Sequence, residues 1–350
     1  MLCKSYDRLT ARLAREITMN NYLLNPDIFN DDVKQEPIRA GFGRGLRAAG
    51  ESNDKIVALC ADLTESTQVH LFRDAFPDRF IQIGIAEQNL AAVASGLARA
   101  GKIPFAVGYA AFHPGRNWEQ IKTTIALNDQ PVKIVGSHAG VTVGPDGATH
   151  QMLEDIALMR VLPNMIVVVP GDSLEAEKAT RAIAENGKPS YLRLSREKSP
   201  IMSTDNSPFE IGKAYILREG SDVSLMGTGI MTYQLLVAAK ILAEQGINAE
   251  VVHVPTIKPL DNQTILESVR RTGRVVTAEE AQVAGGFGGA VAELLSTDLP
   301  TPLLRIGMLD RYGESGTPHE LLEYFGLTGQ KMAEKIIEFV HTKSQYHREY

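Results

Sequence analysis

Short runs of Val, Ile and other apolar residues alternate along the chain with longer stretches whose apolar residues recur every three or four positions. The runs are KIVALCAD (55–62), RFIQIGI (79–85), IPFAVGYA (103–110), VKIVGSHA (132–139), MIVVVPG (165–171) and PSYLRLS (189–195). Between several of them lie segments with helical spacing, such as NWEQIKTTIALN and SLEAEKATRAIAENG. Apolar runs bounded by turn residues and separated by helices predict parallel strands covered on both faces, an α/β domain.

The pattern pauses at SREKSPIMSTDNSPFEIGKA (195–214), where Ser, Pro, Asp and Asn cluster and periodicity disappears. That composition predicts a connection between domains. A second series follows, with strands predicted in DVSLMGTG (222–229), AEVVHVP (249–255), RVVTAEEA (274–281) and TPLLRIGM (301–308). Its helices, YQLLVAAKILAEQG and NQTILESVRRTG, each end at a glycine, the residue suited to close a helix. The predicted fold is α/β, two consecutive domains each built on a mostly parallel sheet flanked by helices. The expected divisions are an arm at 1–36, a first domain at 37–198, a linker at 199–218, a second domain at 219–342 and a tail at 343–350.

Composition agrees with that plan. A chain of 350 residues, 44% of them hydrophobic, can bury a large core, and roughly 150 residues per domain suggests two. The formal net charge of -6, with no long Lys/Arg run, gives no electrostatic footprint for nucleic acid or an anionic membrane. No apolar run approaches the roughly 20 residues that span a bilayer. Cys3 and Cys60 are far apart, which suggests neither a disulfide framework nor a zinc site and fits a reducing cytoplasm. The opening MLCKSYDRLTARLAREI is interrupted by Asp7 and Glu16 and precedes no apolar core, so it reads as a surface helix and not a targeting signal.

In an open parallel sheet, ligands collect beyond the carboxyl ends of the strands. Five stretches fall there: ADLTES (61–66), AEQN (86–89), YAAFHPGR (109–116), SHAGVTVGPDGATHQ (137–151) and RLSRE (193–197). They hold Asp62, Ser66, Glu87, Tyr109, Phe112, His138, Asp146, His150, Arg193 and Arg196. Each also has a structural reading. Glu87 would complement the positive end of the helix it opens, Tyr109 and Phe112 would be core, Asp146-Gly147 is an ordinary turn pair, and Arg196 would be solvated. The Gly-rich GTGIMT (227–232) and GGFGGA (285–290) do not form a GxGxxG at a first strand-to-helix turn, which leaves nicotinamide binding a weak alternative.

Taken together, IGIAEQNLAAVASGLA, ADLTES, GPDGATHQ and SRE, followed by a second α/β domain, resemble the transketolase family of thiamine-diphosphate enzymes. The likeness, over about residues 37–342, is to the chain of a split transketolase that carries only the pyrimidine-binding and C-terminal domains. The resemblance implies that Glu87 hydrogen-bonds the aminopyrimidine ring, where a carboxylate stabilises the protonated ring and its imino tautomer. Tyr109 and Phe112 match the aromatic positions beside that ring, and Asp62 matches a residue lining the cofactor end of the cleft. Arg39, Ser66, His138 and Arg196 match phosphate contacts, while Asp146 and His150 match residues that recognise sugar hydroxyls. Glu87, His138 and His150 are the implied catalytic set. Guanidinium groups suit phosphate because they bind it through paired hydrogen bonds.

The resemblance implies transfer of a two-carbon ketol unit from a ketose phosphate to an aldose phosphate, through an adduct on thiamine diphosphate. No segment supplies the family's metal-diphosphate motif, so none of these residues is assigned to a metal. The Mg2+ or Ca2+ that such a cofactor requires is expected mainly on a partner subunit with the diphosphate-binding domain, in an α2β2 heterotetramer. His113-Pro114-Gly115-Arg116 stands where the family usually has a further aromatic, which makes His113 or Arg116 candidates for altering substrate choice. The alternatives are a subunit like deoxyxylulose-phosphate synthase, one like the beta chain of a 2-oxo-acid dehydrogenase, and a non-catalytic assembly subunit.

Overall fold

The structure, a computed structural model, describes residues 23–342. The opening helix read in 1–17, Cys3 and the tail 343–350 lie outside the described residues.

Fourteen strands are described. They are β1 (Gln35–Pro37), β2 (Ile56–Cys60), β3 (Phe80–Gln82), β4 (Ile103–Tyr109), β5 (Lys133–Ser137), β6 (Ile166–Val168), β7 (Ser190–Arg193), β8 (Lys198–Pro200), β9 (Tyr215–Arg218), β10 (Val223–Gly227), β11 (Ala249–His253), β12 (Thr256–Lys258), β13 (Val275–Gln282) and β14 (Leu303–Met308). All six apolar runs of the first half become strands β2 to β7, which pair in parallel in the order β6-β7-β5-β4-β2-β3. Runs of Val, Ile and Leu with no polar alternation suit strands covered on both faces, and every residue of β2 and β5 is buried.

One face carries the helices Ile38–Ser52, His70–Ala75 and Ser173–Glu185, whose Phe42, Leu46, Phe72 and Ile183 pack on Ile56, Val107 and Leu192. The first and last of these helices cross closely because residue 41 is glycine: a Cβ there would stand 1.7 Å from the Ser173 carbonyl oxygen. The other face carries the helix Glu87–Arg99, whose Leu90, Ala91, Ala94 and Ala98 recur with helical period and turn inward. NWEQIKTTIALN forms one α-turn, Trp118–Gln120, that runs into a π-helical segment, Ile121–Ala126.

The second half forms a five-stranded sheet, β14-β13-β10-β11-β9, parallel except for the edge strand β9. The helices Met231–Glu244, Asn262–Thr272, Phe287–Asp298 and Gly329–His341 cover it. Asn262–Thr272 closes at Gly273, which adopts the left-handed conformation at φ 66.

Two features depart from a simple pair of beads. Strand β12, from the second half, crosses back and pairs antiparallel with β6, so it forms the outer edge of the first sheet. Segment 199–214 is low in periodicity yet firmly packed. Asp172 accepts from the Met202 and Ser203 amides at 2.9 and 2.6 Å, and Lys178 Nζ reaches the Thr204 and Ser207 carbonyls at 2.7 Å each. Residues 23–37 lie against the same segment through the β1–β8 ladder and the bond from the Asn25 amide to the Met202 carbonyl. Among the described residues no helix is long and apolar enough to cross a membrane.

Candidate functional site

The polar loops collect at the carboxyl ends of β2, β3, β4 and β5. After β3 the chain turns through Gly84, at φ 80, and places Glu87 as the first residue of its helix. Glu87 is 2% exposed. Its Oε2 accepts a hydrogen bond from Arg116 Nη1 at 2.7 Å, and its backbone carbonyl accepts one from Asn117 Nδ2 at 2.6 Å. The Arg116 guanidinium also lies over the Phe112 ring, 4.9 Å from the centroid. His150 meets that ring edge-on at 5.4 Å. A buried carboxylate with a cation in contact, beside an aromatic face, is an arrangement able to orient a heteroaromatic ring and exchange a proton with it.

A second group lies beside the first. Tyr109, at the end of β4, donates from its hydroxyl to Ser66 Oγ at 2.9 Å and stacks on His138, with centroids 3.8 Å apart. His138 follows β5 in a left-handed conformation, φ 59, as does Asp62 after β2. Histidine and aspartate tolerate that region better than most residues. Arg39 Nη1 donates to the Arg196 carbonyl, and Arg196 Nη1 donates to the Val143 carbonyl while Asp146 Oδ2 lies 3.5 Å away. Arg39 Nε is buried without a partner among the described residues.

Two guanidinium groups, Arg39 and Arg196, meet in this corner, with Asp146 3.5 Å from Arg196 and the Glu197 carboxylate acting on Arg39. Burial, reinforced by Arg39, Arg196 and His150, pushes His138 down to about 3, so its imidazole is neutral at working pH. Burial and Arg196 also hold Arg39 below the usual guanidinium value. Ser137 Oγ lies 2.9 Å from His138 Nδ1.

Contacts link Ser66, Tyr109 and His138, and likewise Arg39, Arg196 and Asp146, the charges of the two arginines acting on His138, while His150, Phe112, Arg116 and Glu87 form the other group. Asp62 stands apart at the end of β2, its amide held by Gln82 Oε1 at 2.8 Å. Two other residues weighed in the sequence face away from the loops. His113 is fully buried, bonded through Nε2 to the Ala106 carbonyl and through Nδ1 to Asn117, so it has no exposed surface with which to touch a substrate directly. Arg193 is buried on Asp155 at 2.8 Å and also donates to the Glu280 carbonyl.

GGFGGA opens the Phe287–Asp298 helix, and the Phe287 and Gly288 amides at its start donate to Glu279 at 2.7 and 2.8 Å. Burial nonetheless raises Glu279 to about 7. The helix end that would suit a nucleotide phosphate holds the protein's own carboxylate. Sequence reasoning missed the bond from Asn117 to Glu87 and the Arg116–Glu87 pair. The available signal was that a buried carboxylate demands a cation, and Arg116 is the basic residue of the adjoining loop. Among the described residues no cluster of three His, Cys, Asp or Glu side chains is arranged to hold a metal.

The model of the transketolase pyrimidine-binding domain matches residues 34–201, and that of the transketolase C-terminal domain matches 212–332. The chain belongs to the transketolase family. The family is thiamine-diphosphate dependent. The chain is 45% identical over 304 residues to a protein of Methanocaldococcus jannaschii named "Putative transketolase C-terminal section", covering 86% of this chain and 95% of that one. It is 42% identical over 294 residues to the 6-deoxy-6-sulfo-D-fructose transketolase subunit SqwH of Clostridium sp., covering 84% and 91%.

Among solved structures, a split-gene transketolase described as an inactive beta4 tetramer superposes with a TM-score of 0.82 at 45% identity, covering 87% of this chain and 98% of that chain. The 1-deoxy-D-xylulose-5-phosphate synthase of Trichormus variabilis is 38% identical over 85% of this chain, which spans only 47% of that enzyme's length. This transketolase-family chain thus matches split subunits nearly end to end, and about half of the synthase.

Proposed function

We propose that the chain is the C-terminal subunit of a split transketolase, with a partner that carries the diphosphate-binding domain, in an α2β2 heterotetramer. The reaction is transfer of a two-carbon ketol unit from a ketose phosphate to an aldose phosphate. The observation that carries this reading is the juxtaposition of the buried Glu87 and the Phe112 ring with a corner where the Arg39 and Arg196 guanidiniums act on His138.

The pyrimidine half of a thiamine-diphosphate site fits these residues. A buried carboxylate at a helix start suits the ring nitrogen, Phe112 offers a face for stacking, and Tyr109 is placed on the approach, with Asp62 assigned to the cofactor end of the cleft by the resemblance alone. When bound, the cofactor supplies the electron sink for carbon–carbon bond cleavage. Glu87 holds the aminopyrimidine and its proton, and Arg116 keeps that carboxylate aimed. Mg2+ or Ca2+ and the diphosphate are assigned mainly to the partner, since a hard cation takes oxygen ligands and the described residues group no three His, Cys, Asp or Glu side chains for one.

Arg39, Arg196 and Ser66 hold the phosphate of the sugar. His138 joins them as a neutral imidazole whose Nδ1 faces the Ser137 hydroxyl, and when that hydroxyl donates to Nδ1 the Nε2–H is the donor offered to the phosphate. Asp146 and His150 take the hydroxyls next to the bond that breaks, with His150 poised for proton transfer. The same two arginines would accept a sulfonate, so sulfonated sugars belong to the substrate class to be tested. Two well-separated cysteines support a cytoplasmic setting.

The deciding experiment is ketol transfer from xylulose 5-phosphate to ribose 5-phosphate with magnesium and thiamine diphosphate, with and without the partner chain. Transfer only by the pair is the expected result. Carbon dioxide release from pyruvate instead would assign the chain to the deoxyxylulose-phosphate-synthase type.

A further inference from the structure

Gln151 closes the segment that begins after β5 and contains Asp146 and His150. It is 5% exposed, and its Nε2 reaches three backbone carbonyls. Two belong to the segment itself, Val141 at 3.1 Å and Gly144 at 3.3 Å, and the third is Glu314 of the second half, at 2.8 Å. An amide has two N–H groups, so one serves Glu314 while the other is shared within the loop. The fit is close from both sides. A Cβ on Gly313 would stand 1.7 Å from Gln151 Oε1, and one on Gly147 would stand 2.4 Å from Ser315 Oγ. Around Asp146 and His150 the remaining backbone bonds are local, the Gly147 amide to Gly144 and the His150 amide to Gly147, at 3.1 and 3.0 Å, while the start of the segment is held by the Thr142 amide to Glu280 Oε1 and by Arg196 to the Val143 carbonyl.

We propose that Gln151 is a positioning residue for sugar recognition. It ties the Asp146–His150 loop to the Gly313–Glu314 turn, so the C-terminal domain sets substrate affinity without touching the substrate. The identity of the substrate rests on the ketol-transfer reading; the tether itself does not. Three carbonyls converge on one buried donor group, and removing that group leaves all three without it at the joint between the two halves. The end of the loop that carries Asp146 and His150 then loses its side-chain anchor to the second half, while the Thr142 amide at its start keeps its bond to Glu280 and the Glu87 and Phe112 group, on other elements, keeps its own contacts.

The test compares the full chain with Gln151→Met, Gly313→Ala and the double variant. Gln151→Met keeps the length and loses the donor, while Gly313→Ala displaces the same side chain from the opposite domain. Amide hydrogen exchange within 140–151 is expected to rise about tenfold or more in both, because local opening replaces a bridged loop. The double variant should exchange no faster than either single one, as expected for two changes that remove one interaction.

In the reconstituted complex, KM for the ketose phosphate should rise about tenfold while kcat and calorimetric cofactor affinity stay within about twofold, the split expected when only ground-state and transition-state binding are lost together. Unchanged exchange in Gln151→Met, or additive effects, would overturn the tether. A parallel loss of kcat and cofactor affinity would overturn the positioning role and leave general destabilisation. Absence of ketol transfer by the unsubstituted complex would count against the ketol-transfer reading alone, and exchange would then decide the tether.

Discussion

Arg116 and Glu87 form an ion pair whose acid is buried and whose base is half exposed, 2% against 50% by side chain, with 2.7 Å between Nη1 and Oε2. The asymmetry matters because the buried member is the one proposed to meet the cofactor, while the exposed member is free to shift.

Replacing Glu87 by Gln keeps the shape and removes the proton acceptor. Ketol transfer should fall by about 10²–10⁴-fold in kcat, with KM for both sugars little changed. Arg116→Met should cost far less, roughly tenfold, since the carboxylate stays while its charge-assisted bond is lost. Steady-state rates with both sugars varied check both statements, and equal losses for the two variants would contradict the division of roles.

His138 offers a pH signature with a definite sign. Its folded-state value, about 3, lies below the ordinary 6.5. As pH falls through 6.5 the unfolded chain takes up the proton first, so this group lowers stability progressively between 6.5 and 3 and has no such effect above 6.5. His138→Gln should therefore gain on the unsubstituted chain by ~2–3 kcal/mol at pH 4.5 relative to pH 7. Urea midpoints at the two pH values measure the difference, and a pH-independent gap would refute a buried neutral imidazole.

The phosphate corner predicts discrimination by charge. Arg39→Met or Arg196→Met should raise KM for a phosphorylated donor by about 10–100-fold, as expected when a charge-assisted contact is removed. Slow turnover of the dephosphorylated sugar should be unchanged. Equal effects on both sugars would mean that the arginines act on the fold and not on the phosphate.

Arg193 makes the opposite prediction, one about stability. It is buried against Asp155, which also accepts from the Tyr191 hydroxyl at 2.7 Å. Arg193→Met leaves that carboxylate without its cation and should destabilise the chain by about 3–5 kcal/mol, with partial recovery on adding Asp155→Asn. Chemical denaturation of the unsubstituted chain and the two variants provides the comparison.

What the sequence revealed follows from what each element depends on. Strands β2 and β4 to β7 were readable because burial on both faces demands unbroken apolar runs, and the edge strand β3 because it lies within the apolar run RFIQIGI. Strands β9 and β12 were not, because an edge strand of three or four residues, such as Thr256-Ile257-Lys258, is specified by the neighbour it meets and carries little pattern of its own. The π-helical segment Ile121–Ala126 keeps near-helical spacing, so NWEQIKTTIALN reads simply as a helix. In the site, Glu87, His138 and Arg196 were visible as polar residues at strand ends. The Arg116–Glu87 pair and the burial of His113 were not, since both arise from how loop 109–117 folds back. Gln151 was invisible for the same reason: its partners lie as far as 163 positions away.

Strand β12 has a consequence for the order in which the molecule is made. As the chain leaves the ribosome, β6 emerges at 166–168 with one edge open, and the strand that covers it follows only at 256–258. Between those points the first sheet presents an unpaired ladder to its surroundings, of the kind that invites wrong partners. Maturation of the first half therefore waits on synthesis of part of the second, and a gene cut at the low-periodicity segment would yield an N-terminal product with that edge left bare.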